Sequence, residues 1–184
     1  MPDELIDIVT EEGFFTGDTR MKSEAHRLGL YHNSVHIWLY DQRGNILIQK
    51  RAHNKDTYPN LWDVSVAGHI GAGESPKNAA LREVQEEIGL CLQASNLEFI
   101  GKYLAKKEPS VNIIDNEFHY IYIAILTKPI ADLKVQKEEV SAIKLISTES
   151  LQEDIEHEIR KKEYVPHDPD YYELILKEIK NRFS

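Results

Sequence analysis

The chain has 184 residues, of which 41% are hydrophobic, and a formal net charge of −9 at pH 7, which predicts one domain, residues 1–184, with a sizeable core. The acidic balance argues against a nucleic acid polymer as partner, and no apolar run approaches the roughly 20 residues of a membrane span. A single cysteine, Cys91, excludes an intrachain disulfide, and the first ten residues lack signal-peptide features, so we expect a cytoplasmic location.

The hydrophobic pattern predicts a mixed β-sheet flanked by helices, which is an α+β fold. Residues 1–30 are expected to form an N-terminal arm that packs as a short strand and loop. Alternating apolar residues at 34–40 lead through the turn sequence DQRGN into a strand at 46–50, which predicts a hairpin. Along the rest of the chain, the pattern predicts strands at 63–67, 97–104, 117–126 and 140–146, and helices at 76–88, 148–162 and 169–182.

The helix predicted at 76–88 has clear start and stop signals. Ser75 is a favourable N-cap residue, and Pro76 suits the first helical position, where its missing N–H costs nothing. Gly89 can adopt the left-handed conformation that ends a helix. These signals bracket the segment that carries the acidic residues of interest.

Three carboxylates share one edge of this helix. Glu83 and Glu87 stack at i,i+4 spacing, and Glu86 lies beside them. Like charges at this spacing destabilise an isolated helix by roughly a few tenths of a kcal/mol each, so something must compensate for them. Mg²⁺ is the natural candidate, because it takes oxygen ligands and keeps waters that a phosphate can displace. A solvated acidic face is the alternative explanation.

Nine spaced positions make the interpretation more specific. They match the pattern Gly-x5-Glu-x7-Arg-Glu-U-x-Glu-Glu-x-Gly-U, with U aliphatic, at Gly68, Glu74, Arg82, Glu83, Val84, Glu86, Glu87, Gly89 and Leu90. A chance match is on the order of 10⁻⁷. The segment, residues 68–90, therefore resembles the Nudix box. The resemblance implies an α/β/α sandwich that holds divalent metal, Mg²⁺ or Mn²⁺, and hydrolysis of a small-molecule diphosphate attached to another group.

The same resemblance implies roles within the box. The implied metal ligands are the backbone carbonyl of Gly68 and the carboxylates of Glu83, Glu86 and Glu87. Arg82 is implied to fix the box through a carboxylate partner such as Glu74. The general base varies among relatives, and we rank Glu86 or Glu87 first, Glu117 second and Glu139 third.

Residues 26–90, and more loosely those up to 147, resemble the Nudix branch that includes isopentenyl-diphosphate isomerase. The resemblance rests on His32, the strand from residue 34, Lys50-Arg51-Ala52, the YPNLW segment and Gly68-His69. In those isomerases a cysteine two residues before this histidine acts at the substrate carbon, and here Ala67 occupies that position. A methyl group cannot exchange a proton. Cys91 is interpreted as a small core residue, not as a displaced catalyst.

Five residues match the ligands of a second metal in the isomerases: His26, His32, His69, Asp115 and Glu117. The alternative for the histidines is packing or hydrogen bonding, and for Glu117 it is a solvated strand end. His36 and His119 are interpreted as ordinary strand residues.

The sequence favours a Nudix hydrolase that cleaves a nucleoside diphosphate-X type or other organic diphosphate. The alternatives are an isomerase-type activity and a non-catalytic diphosphate-binding module. Arg51 and Lys50 are candidate phosphate contacts, with solvated surface as the alternative. Four aromatic residues either stack on a base or pack in the core, which is favoured: Trp62, Tyr58, Tyr103 and Tyr120. A homodimer is compatible with the sequence, but no residue demands it.

Overall fold

The computed structural model describes residues 3–183, which contain nine strands and four α-helices. The strands are β1 (Leu5–Val9), β2 (Phe15–Met21), β3 (His32–Tyr40), β4 (Ile46–Arg51), β5 (Trp62–Asp63), β6 (Val66–His69), β7 (Glu98–Ser110), β8 (Ile113–Ile125) and β9 (Val140–Ile146). The helices are α1 (Lys22–Leu28), α2 (Pro76–Ile88), α3 (Thr148–Glu156) and α4 (Pro169–Lys180). No helix in the described range is both long and apolar enough to cross a membrane.

Strand β3 is the centre of a mixed sheet. It runs parallel to β8, with His32 opposite Glu117 and Tyr40 opposite Ile125, and antiparallel to β1, β4 and β6. Strand β4 extends the sheet through antiparallel pairs with β5 and β9, and β7 pairs antiparallel with β8. The prediction of a mixed sheet is confirmed.

Two apolar cores lie on opposite faces of this sheet. Val35, Ile37 and Leu39 of β3 pack into a cluster that includes the apolar side of α2. Trp38 and Tyr40 belong to a second cluster with the buried residues of α4. Because side chains alternate across a strand, β3 supplies both cores, and the result is the predicted α/β/α sandwich.

The N-terminal arm contains more structure than a short strand and loop. It consists of the hairpin β1–β2, in which Leu5 faces Met21, followed by helix α1. Helix α1 ends at Gly29, whose backbone is left-handed with φ of +63°. The hairpin and helix bring His26 toward the sheet, which the sequence pattern did not predict.

Other predicted elements were wrong in extent. Strand β7 continues to Ser110, beyond the predicted 97–104, and β8 begins at Ile113, before the predicted 117–126. The helix predicted at 148–162 ends at Glu156, because the His157 backbone is extended and its ring Nδ1 accepts N–H hydrogen bonds from Ile159 and Arg160. The strand predicted at 63–67 is divided into β5 and β6. At the break, the Ser65 hydroxyl donates to the Leu47 carbonyl and accepts the Leu39 N–H, which replaces regular strand pairing.

The interpretation of Cys91 as a core residue was also wrong. Its side chain is exposed just after α2, and its thiol donates to the Gln85 amide oxygen. The core position beside it is taken by Leu90, which is fully buried.

Candidate functional site

Helix α2 begins and ends where its capping residues predict. The Ser75 hydroxyl accepts the Asn78 N–H at 3.3 Å, Pro76 occupies the first turn, and Gly89 adopts φ of +66° at the C-terminus. The helix buries Glu83 and Glu87, whereas the Glu86 side chain stays about half exposed. The three carboxylates therefore share an edge but differ in their access to solvent.

Arg82 fixes the loop before α2 to the helix. Its guanidinium makes a bidentate contact with Glu74, at 3.1 and 2.9 Å, and donates to the His69 carbonyl at 3.1 Å. It also donates to Glu83 Oε1 at 2.7 Å and to Glu86 Oε2 at 3.2 Å. A planar guanidinium suits this fork of acceptors, which a lysine could not reproduce. Arg82 thus orients two of the three helix carboxylates.

Gly68 lies directly against the Glu83 carboxylate. A Cβ atom at position 68 would lie 2.1 Å from Glu83 Cδ, which no real contact permits. The backbone at this position has no positive φ, so the close approach alone explains the need for glycine. The Gly68 peptide and the Glu83 carboxylate therefore line the same corner of the site.

The two buried box carboxylates, Glu83 and Glu87, have raised pKa values. Burial, partly offset by Arg82, raises the pKa of Glu83 to about 7. Burial and then the neighbouring Glu83 charge raise the pKa of Glu87 well above its usual value. Glu87 Oε2 and Glu139 Oε1 are buried without a hydrogen-bond partner. Carboxylate oxygens that lack hydrogen-bond partners and repel one another are suitable ligands for a hard divalent cation.

A second cluster of potential ligands surrounds Glu117. Its Oε1 lies 3.8 Å from His26 Nε2, 3.4 Å from His32 Nε2 and 3.3 Å from His69 Nε2. His26 Nε2 is 3.2 Å from His32 Nε2 and 3.5 Å from Asp115 Oδ1. The structure thus brings together all five residues that the sequence proposed for a second site.

The electrostatics of this cluster also fit a cation. His69 Nε2 and Asp115 Oδ1 are buried without a well-oriented hydrogen bond. Burial lowers the pKa of His69 to about 4, and burial together with the Glu117 charge raises the pKa of Asp115 to about 9. His32 Nδ1 lies 2.9 Å from the Leu30 carbonyl, which orients the ring with Nε2 toward the cluster.

His36 and His119 are not ordinary strand residues. Their rings stack with centroids 3.8 Å apart, His36 Nδ1 contacts the Tyr171 hydroxyl at 2.6 Å, and His119 Nδ1 contacts the Ser34 hydroxyl at 2.7 Å. Both histidines are buried, and burial holds the pKa of His36 well below its usual range. Nitrogen lone pairs lie in the ring plane, so two stacked imidazoles are poorly placed to share one ion. They form the polar back wall of the site.

Arg51 is occupied by protein contacts. Its guanidinium donates to the Thr57 carbonyl and hydroxyl, each at 3.0 Å, and to Asp63 Oδ2 at 3.0 Å. Asp63 Oδ1 contacts His167 Nε2 at 2.8 Å. Burial raises the pKa of Asp63, but His167 and Arg51 outweigh burial and hold the pKa well below its usual range. His167 was missed in the sequence because it is 104 positions from Asp63.

The remaining predicted substrate contacts are placed differently. Lys50 Nζ lies 5.7 Å from the Trp62 ring centroid, and Lys144 Nζ lies 4.2 Å from it. Neither Lys50 nor Trp62 lines the cavity described next. Tyr58 does line it, and Tyr103 instead packs against the second core, with its hydroxyl donating to Asp168 at 2.9 Å.

The two carboxylate clusters open into one cavity of about 460 Å³. Its lining includes the box carboxylates and, from the second cluster, His26, His69, Asp115 and Glu117, whereas His32 is fully buried. The lining also includes Arg51, Lys55, Lys107 and His167. Lys55 pairs with Glu139, and burial lowers the pKa of Lys107. The cavity can hold an anionic group between cations of the protein and ligands for metal.

Comparison with known proteins gives consistent matches. A sequence model described as the NUDIX domain matches residues 30–168. Nudix hydrolase 3 of Arabidopsis thaliana is 36% identical over 172 residues, which are 91% of this chain but 22% of that protein, so the chain spans about a fifth of its length. An uncharacterized Nudix hydrolase of Clostridium acetobutylicum is 31% identical, with 96% of this chain and 97% of the relative aligned.

Isomerases and solved structures also match. Isopentenyl-diphosphate Delta-isomerase of Streptomyces coelicolor is 28% identical, over 81% of this chain and 74% of that enzyme. A crystal structure from Deinococcus radiodurans is similar with a TM-score of 0.71 at 20% identity, covering 98% of this chain and all of that one. The NUDIX domain of Shewanella oneidensis NrtR, solved with ADP ribose, gives a TM-score of 0.57 at 15% identity, over 83% of this chain and 88% of that one.

Proposed function

The chain belongs to the Nudix family, and on that premise we propose that it is a divalent-metal-dependent hydrolase that cleaves the diphosphate linkage of a small organic diphosphate. One observation carries the proposal. Arg82 holds the box so that Glu83 and Glu87 are buried beside Gly68 with raised pKa values, facing a 460 Å³ cavity. Two buried carboxylates this close together cost free energy when they are ionised, unless a cation lies between them.

We assign the first metal site to the Gly68 carbonyl and the carboxylates of Glu83, Glu86 and Glu87. Bound Mg²⁺ or Mn²⁺ would supply charge neutralisation for the two phosphates and lower the pKa of the attacking water. Burial of Glu83 and Glu87 keeps bulk water away from the corner beside Gly68.

A carboxylate of the chain accepts the proton of the attacking water. Glu86 and Glu87 are the first candidates, because they project from the box into the cavity. Glu117 comes second, and Glu139, whose Oε1 has no partner, comes third.

The second site is assigned to His26, His32, His69, Asp115 and Glu117. Three imidazoles and two carboxylates form a mixed N/O donor set that suits Mn²⁺ or another first-row metal. The separation of 3.2 Å between His26 Nε2 and His32 Nε2 is close to that of adjacent ligands around one ion. Glu117 Oε1 faces all three imidazoles and is the central ligand of this set.

For the substrate, we favour a nucleoside diphosphate linked to another group. The neighbour solved in complex with ADP ribose is a precedent for binding such a compound in the same fold. The two lysines of the cavity lining, Lys55 and Lys107, would contact the phosphates. A homodimer and a cytoplasmic location stay predictions of the sequence.

Isomerase-type activity is the second candidate. It is favoured by the intact histidine cluster and by the isomerase relatives. Ala67 lines the cavity where the isomerases carry a cysteine, and it offers no group that could exchange a proton. A non-catalytic diphosphate-binding module would retain the cavity but would have no use for the box carboxylates.

The test is a phosphate-release panel of nucleoside diphosphate sugars, dinucleotides and prenyl diphosphates, with Mg²⁺ and with Mn²⁺. We expect metal-dependent hydrolysis of at least one class, and kcat/KM lower by at least about 100-fold in Glu86→Gln/Glu87→Gln. The matched control, Glu12→Gln/Glu108→Gln, removes two exposed carboxylates outside the cavity and should retain activity.

A double box variant as active as the parent would refute the hydrolase mechanism. Incubation with isopentenyl diphosphate in deuterated water tests the isomerase alternative, because isomerisation incorporates deuterium at carbon. Complete inactivity of the parent across the panel would favour the binding module.

A further inference from the structure

The catalytic cavity has a larger neighbour. A groove of about 1120 Å³ lies between α3, α4 and the segment that joins them. Tyr58, Val165 and His167 line both the catalytic cavity and this groove. The two spaces therefore meet at these three residues.

Several contacts fix the residues at this junction. Tyr58 has φ of +48°, a conformation that is strained for a bulky residue, and the chain around it is held by the contacts of Arg51 with Thr57. Lys107 Nζ lies 3.3 Å from His167 Nδ1 and 5.9 Å from the Tyr58 ring centroid. Strain of this kind persists only where surrounding contacts enforce it, and here it places an aromatic ring at the junction of the two spaces.

The groove has an apolar floor and a basic rim. Leu61, Ile155 and Leu176 contribute to the floor. Four lysines line the groove, Lys161, Lys162, Lys177 and Lys180, against two carboxylates, Glu156 and Glu173. Lys161 pairs with Glu158 at 3.1 Å, but the lining still carries more lysines than carboxylates in a chain whose net charge is −9. This local excess of positive charge would attract an anion.

We propose that this lysine-rimmed groove binds the group attached to the substrate diphosphate, and that this group ends in a further phosphate or carboxylate. The inference rests on the proposed hydrolase function and narrows its substrate class. The shared boundary with the catalytic cavity favours a substrate over a separate protein partner, because Tyr58, Val165 and His167 line both spaces. Tyr58 then acts as a specificity residue, since the substrate must pass over its ring.

The test uses two pairs of diphosphates that differ by one phosphate: coenzyme A with dephospho-coenzyme A, and NADPH with NADH. Hydrolysis is measured for the parent and for Lys162→Glu/Lys177→Glu, which changes two exposed residues of the rim. Arg43→Glu/Lys128→Glu makes the same charge change outside both spaces. Dimethylallyl diphosphate, which has no acidic group beyond the diphosphate, is the reference substrate.

For at least one pair, the parent should prefer the phosphorylated member by on the order of 10-fold in kcat/KM. The rim variant should lose this preference while it keeps its activity on the reference substrate, and the control should retain both. Calorimetric titration of the same pairs with Ca²⁺ in place of the activating metal should give the same ranking. A parent with equal kcat/KM for both members of each pair would overturn the inference. So would a rim variant whose ratio of the two kcat/KM values equals that of the parent. Failure of the parent to hydrolyse any compound of this set or of the phosphate-release panel would overturn the proposed function, whereas the calorimetric ranking would still decide the role of the groove.

Discussion

The contact between Gly68 and Glu83 allows a sharp test of the first metal site. In Gly68→Ala the new Cβ would lie 2.1 Å from Glu83 Cδ, so the carboxylate must move by about 1.3 Å to reach an ordinary contact of 3.4 Å. Mg²⁺ ligation tolerates errors of only about 0.2 Å around its short bonds to oxygen. The variant should therefore lose Glu83 as a ligand and weaken Mg²⁺ binding by about 10- to 100-fold.

The same loop provides a matched control. A Cβ atom at Gly71 would approach nothing closer than 3.5 Å, so Gly71→Ala adds a methyl group without displacing a carboxylate. Mg²⁺ affinity is measured by calorimetry at pH 8, above the pKa of about 7 for Glu83, with thermal unfolding as a check of folding. Gly71→Ala should bind like the parent. If Gly68→Ala folds and binds Mg²⁺ within about 2-fold of the parent, Glu83 and Gly68 do not form the site.

Three further outcomes are expected. In metal-free protein the pKa of Glu83 is raised from 4.5 in the unfolded chain to about 7, so its contribution to stability is fully present below pH 4.5 and is lost as pH rises through about 7. Between pH 5 and pH 8 the free energy of unfolding in urea should therefore fall by about 2.5 kcal/mol more in the parent than in Glu83→Gln. Equal falls in the two proteins would contradict the raised pKa. Glu117→Gln should lose one tightly bound Mn²⁺ per chain by electron paramagnetic resonance, and unchanged stoichiometry would exclude the histidine site. Arg51→Lys should lower the free energy of unfolding by about 1–3 kcal/mol, because lysine cannot bridge Thr57 and Asp63 together; full stability would show that these contacts are dispensable.

The local features of the site could be predicted from sequence because their signals are local. Helix α2 lies at 76–88 as its cap residues indicated, and the contact of Arg82 with Glu74 spans only eight positions. The five residues proposed for a second metal also meet, but that prediction depended on resemblance to a family. Their spacing along the chain gave no geometric indication of the contact.

The parts that were missed depend on contacts between distant segments. Ser34 meets His119 across 85 positions, and Asp63 meets His167 across 104. A single histidine in a strand carries no sign of the partner that will stack on it. For Arg51 the sequence left a phosphate contact and solvated surface as alternatives. Its contacts with Thr57 and Asp63 could not be predicted from its position after a strand.

The parallel pairing of β3 with β8 has a consequence for engineering this chain. His32 faces Glu117 and Ser34 faces His119, so a shift of β8 by one residue would turn both Glu117 and His119 to the opposite face. Deletions of one residue inside β8 before Glu117 or His119 should therefore remove these side chains from the site. The hairpin tip at Val111 is fully exposed and lies outside that register, which makes it the place to insert a tag or a reporter peptide.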